Sequence, residues 1–130
     1  MLDEKEILKK LVVDEKDVIS DLANLVEKAK EIFVIEKTSG RIIFKNFGKL
    51  SDPQRICVLL VGKFFASKLG LIGEPALGIS EISKELSRPM TTLSKPVGEL
   101  ITKGYIEKLT TRKYVIVYHR IKDIFDAYFK

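Results

Sequence analysis

The chain predicts an α+β fold with the helices carrying the core. Three observations point there: amphipathic stripes at helical spacing near the start, two β-rich hairpins far apart in the chain, and one long apolar segment between them. Its 130 residues fit one domain of ordinary size, and 45% apolar content is enough for a real core. Three parts of that domain are expected: N-terminal helices and a hairpin over 1–50, a helical unit with a second hairpin over 51–120, and a C-terminal helix over 121–130.

The elements follow in order. Ile7, Leu8, Leu11 and Val12 form a short helical stripe, and a second helix starts near Asp14 and carries Val18, Leu22, Leu25, Val26 and Ala29. Ile32 to Lys37 and Arg41 to Lys45 are β-rich runs around Thr38-Ser39-Gly40, which reads as a hairpin. Ser51-Asp52-Pro53 is a cap followed by a proline suited to a first turn. It opens a helix to about Leu69, closed by Gly70. Ile56, Cys57, Val58, Leu59, Leu60, Val61, Phe64 and Phe65 are apolar nearly all round that helix, so it must be covered on more than one side.

Composition excludes several classes. The apolar run from Ile56 to Gly62 is cut by Lys63, whereas a bilayer span needs about 20 uncharged residues. Asp3, Glu4, Lys5 and Glu6 follow the first methionine where an export signal has a basic start and an apolar stretch of roughly 7 to 15 residues. With a single cysteine, Cys57, neither an internal disulfide nor a multi-cysteine zinc site is possible, and a reducing cytoplasmic setting is expected. His119 has no second His or Cys beside it. The serines lack a matched His and carboxylate, and the glycines are not at phosphate-loop spacing, so the chain reads as no enzyme, with no cofactor and no small-molecule ligand.

The net charge of +5 is uneven. Residues 1–50 hold 10 Lys/Arg against 10 Asp/Glu, and residues 51–130 hold 13 against 8. Lys84, Arg88, Lys95, Lys103, Lys108, Arg112, Lys113 and Arg120 stand against Glu85, Glu99 and Glu107, which marks 84–120 as the end that faces a polyanion.

The same stretch carries a pattern. Ser80 caps a short helix whose Ile82 and Leu86 face inward, Ser87-Arg88-Pro89 makes a tight turn, and Thr91-Thr92-Leu93-Ser94-Lys95 opens a second helix that buries Leu93, Val97, Leu100 and Ile101. Lys103-Gly104-Tyr105-Ile106 ends that helix, and two strand-like runs, Tyr105 to Leu109 and Lys113 to Tyr118, flank the polar tip Thr110-Thr111-Arg112. Over residues 51–120 this resembles the helix-turn-helix core and wing of winged-helix DNA-binding proteins, especially small archaeal transcription regulators. The resemblance implies a recognition helix at about 91–103, a basic wing at about 105–118, and double-stranded DNA as partner. Thr91, Thr92, Ser94 and Lys95 are the expected base-reading residues, because short hydroxyls and a basic side chain at a helix start suit the major groove. Lys84, Arg88, Arg112 and Lys113 are the expected phosphate clamps. The other reading of the same fold is a winged helix that docks on a protein of a transcription or replication assembly.

Two points stay open in the sequence. Pro96 and Gly98 fall inside the expected recognition helix, so its regular part starts either at Thr91 or at Ser94. The stripe Ile121, Ile124, Phe125, Tyr128 and Phe129 is either core or the seam of a homodimer, and the dimer is favoured because the long helix and first hairpin already supply core.

Overall fold

The computed structural model describes residues 4–8 and 25–129. The expected first helix is represented by α1 (Glu4–Leu8) and the expected second by its end, α2 (Val26–Lys30). The rest of those two stripes lies outside the described residues. The chain continues through β1 (Phe33–Ile35), β2 (Ile42–Phe44), α3 (Asp52–Lys68), α4 (Ile79–Leu86), α5 (Met90–Thr102), β3 (Ile106–Lys108), β4 (Tyr114–Ile116) and α6 (Ile121–Tyr128). Helices and two antiparallel hairpins make the fold α+β, as expected.

The centre is α3. Ser51 caps it, its hydroxyl accepting from the Gln54 amide while the Gln54 side chain accepts from Ser51 N–H at 2.8 Å, and Pro53 occupies the first turn. Ile56 to Phe64 and Ala66 are buried without a break, because α3 packs against β1, β2, α4, α5, α6 and β4 in turn. Gly62 has a definite role in this crowding. A Cβ there would lie 2.6 Å from Ile42 Cδ1, so any other residue would force the Ile42 side chain of β2 to shift.

The first hairpin pairs Phe33 with Phe44 and Ile35 with Ile42, which puts Phe33 and Ile42 into the core and Val34 and Ile43 outward. Its turn is closed by Gly40 at φ 72° and by the Glu36 carboxylate, which accepts from the amides of Thr38 and Ser39 and from the Ser39 hydroxyl. Those bonds hold the Glu36 pKa down to about 2.

Among the described residues one basic side chain enters the core. Lys63 is 7% exposed, and its Nζ reaches Glu85 Oε1 of α4 at 2.9 Å. Cys57 is buried as a small hydrophobe, and burial pushes its thiol up to about 12.

Three residues of the C-terminal stripe are core. Ile121, Ile124 and Phe125 of α6 are buried in the chain's own interior, and Gln54 Nε2 donates to the Tyr128 carbonyl at 3.1 Å. This corrects the expectation of a dimer seam for Ile121, Ile124 and Phe125, which belong to the chain's own core, while Tyr128 and Phe129 are half-buried beside them.

Candidate nucleic-acid interface

α4 and α5 are joined by a three-residue turn whose conformation is set by hydrogen bonds. The sequence reading put the cap of α4 at Ser80; the cap is two residues earlier, at Gly78, and the helix begins at Ile79. The Glu81 carboxylate explains the shift, since it reaches back to accept from Gly78 N–H at 3.1 Å. At the other end Ser87 adopts the left-handed conformation (φ 53°, ψ 43°), and Arg88 N–H donates to the Ser83 carbonyl. The Ser83 hydroxyl donates to the Arg88 carbonyl at 2.5 Å. Pro89 then caps α5, fixed at φ −60°.

α5 starts at Met90, before Pro96, which resolves the start left open above. Pro96 sits in mid-helix with its ring buried beside Leu93, Val97 and Leu100. It has no N–H for the Thr92 carbonyl, so the helix gives up one backbone bond and gains a rigid apolar ring in the core. Ile101, expected to bury, is 39% exposed; the inward stripe runs through 93, 96, 97 and 100, and 101 falls past its edge.

The opposite face of α5 is small and polar: Thr91, Thr92, Ser94, Lys95 and Gly98 are all exposed. Thus the four expected base-reading residues share one helix and its solvent side. Gly98 is the counterpart of Gly62, for a Cβ added there meets nothing within 4 Å. Packing gives no reason for it, and in mid-helix it costs about 1 kcal/mol relative to alanine. Gly98→Ala is therefore expected to stabilise the chain by up to about 1 kcal/mol in denaturant unfolding. If the bare backbone there serves close approach of a duplex, the same variant binds DNA more weakly.

The second hairpin pairs Ile106 with Ile116 and Lys108 with Tyr114, and Leu77 adds a single paired residue against Tyr114, with bonds of 3.0 and 2.7 Å. At its tip Arg112 N–H donates to the Leu109 carbonyl at 2.9 Å and Leu109 N–H to the Lys113 carbonyl at 2.8 Å, with Arg112 itself at φ 63°. This is a three-residue loop whose last residue is left-handed. It turns the Arg112 side chain into solvent.

The expected phosphate clamps divide into two pairs. Lys84 and Arg112 are exposed and have no ion-pair partner among the described residues, as is true of Lys95. Arg88 and Lys113 are already engaged. Arg88 Nη2 lies 3.2 Å from Asp52 Oδ2, tying the turn to the start of α3, and its Nε is buried without a partner. Lys113 pairs with Glu74 of the preceding loop, which raises its pKa.

Between α5 and the hairpin runs a groove of about 500 Å³ lined by Ile79, Met90, Thr91, Ser94, Val97, Gly98, Ile101, Lys108 and Tyr114. The sequence reading missed the apolar part of this surface. Met90 is 48% exposed, and Lys108 leans over the Tyr114 ring at 5.8 Å. The position of Met90 directly after the proline cap, on the solvent side of the first turn, was the available signal.

No group of three or more His, Cys, Asp or Glu is placed to hold a metal among the described residues, and no described helix is long and apolar enough to cross a membrane. Comparison with protein-family models, curated proteins and solved structures finds no match.

Proposed function

We propose that α4, its turn, α5 and the β3–β4 hairpin act as a winged helix-turn-helix that binds double-stranded DNA, in the manner of a small transcription regulator. The observation that carries this reading is the solvent face of α5. Thr91, Thr92, Ser94 and Lys95 lie together there, while the other face is anchored by Leu93, Pro96, Val97 and Leu100. A helix in the major groove needs that division between donors outside and core inside. Lys84 on one side and Arg112 at the hairpin tip supply unpaired charge for the flanking phosphates. Two copies on half-sites about one helical turn apart complete the proposal, with pairing through a surface other than the buried face of α6.

The test is retardation of duplex DNA. Micromolar protein is expected to retard it at about 50 mM salt, where counterion release favours binding. Because α5 begins before Pro96, both Thr91→Ala and Lys95→Ala are expected to change which sequences are selected from a random pool. Equal losses on all sequences would remove these residues from the reading face.

A second reading has one observation in its favour, the apolar part of the groove at Met90, Ile101 and Tyr114, which suits a protein partner. Met90→Ser with Ile101→Ser separates the two. It leaves retardation of DNA largely intact under the first reading, and no retardation by the wild type at any salt would favour the second.

A further inference from the structure

A second groove of about 500 Å³ lies between the first hairpin and α4, lined by Arg41, Ile42, Ile43, Phe44, Phe47, Leu59, Lys84, Glu85 and Ser87. Its rim carries three charged side chains. Glu85 is matched by Lys63 at 2.9 Å, whereas Arg41 and Lys84 are exposed and have no ion-pair partner among the described residues. The groove therefore keeps two uncompensated positive charges above an apolar floor of Ile42, Phe44 and Leu59. A sugar–phosphate strand has matching chemistry: apolar sugar faces and one anion per nucleotide.

The groove also lies near the start of the proposed reading helix along the chain. Ser87 lines it, and Met90, the first residue of α5, is three residues further on, a reach of at most about 11 Å. The major groove is about 12 Å wide, so a phosphate strand bordering a duplex entered by α5 lies within that range.

We infer that the β1–β2 hairpin is part of the DNA-binding surface, with Arg41 and Lys84 together holding the phosphate strand that flanks the site read by α5. The inference rests on the DNA reading above. Neither residue contacts bases, so both raise affinity alike on every sequence.

The experiment is the salt dependence of duplex DNA binding by the full chain, with a fixed duplex taken from the fragments the wild type selects. Arg41→Gln and Lys84→Gln are each expected to flatten the slope of log Kobs against log salt by about 0.9, and the double change by about 1.8. Arg41→Lys keeps the wild-type slope, and so does Lys122→Gln, which removes an exposed charge from α6. Equal thermal unfolding midpoints for these variants show that the hairpin is still folded. A slope unchanged by Arg41→Gln, with Lys84→Gln flattening it, overturns the part given to the hairpin and leaves the DNA reading standing. A wild type that binds no duplex overturns both.

Discussion

Phe125→Ala is expected to destabilise the chain by about 3–5 kcal/mol, the range for removing a buried aromatic side chain from a packed core. Phe125 is 2% exposed, and its ring lies 5.8 Å from that of Phe129. Ile121 and Ile124 are buried beside it against the same side of α3, so truncation at Arg120 removes three core residues together and is expected to abolish cooperative unfolding. Denaturant unfolding at two protein concentrations measures this directly. A loss below about 1 kcal/mol for Phe125→Ala, accompanied by a fall in sedimenting mass, would return α6 to the role of a subunit seam.

The second large effect concerns Lys63. Its ammonium is buried and held by Glu85 alone among the described carboxylates, so Glu85→Ala leaves a charge inside without a partner. Breaking fully buried pairs costs about 3–5 kcal/mol; because Glu85 is exposed, with a third of its side chain in water, a loss of about 1–3 kcal/mol is expected. Lys63→Met needs no partner and fills similar volume. Adding it to Glu85→Ala is therefore expected to recover most of the loss. A double change no more stable than Glu85→Ala would mean that the pair does not carry the effect.

These two effects mark where the sequence was legible and where it was not. Local chemistry was readable: the Ser51 cap, the turn glycine Gly40, the β-rich runs around it, and the apolar girth of α3 all appear as read. Features that depend on a distant residue were not. The cap of α4 moved because the Glu81 carboxylate reaches back to accept from the Gly78 N–H, which fixes the helix cap two residues before Ser80. The stripe of α6 looks the same whether it meets its own core or a second chain, and only the folded chain shows Ile121, Ile124 and Phe125 buried in its own interior. Pro96 left Ser94 open as the helix start because its cost is local, while the gain, a ring buried along with Leu93, Val97 and Leu100, is tertiary. For the candidate interface, the residue types on α5 were legible but the engagement of Arg88 by Asp52 and of Lys113 by Glu74 was not, since each partner lies more than thirty positions away.

The central claim is that the α4–α5–hairpin unit binds the phosphates and bases of duplex DNA, and Arg112 offers the cleanest probe of it. Its left-handed backbone suits glycine better than any other residue, so Arg112→Gly removes the guanidinium while keeping the turn. The decisive measurement is the affinity of wild type and Arg112→Gly for duplex DNA across a range of salt. The account predicts steep salt dependence for the wild type, and for the variant unchanged or higher stability, weaker binding on all sequences and a slope flatter by about 0.9. A wild-type affinity that does not vary with salt, or an Arg112→Gly protein that binds like the wild type with the same slope, would contradict it.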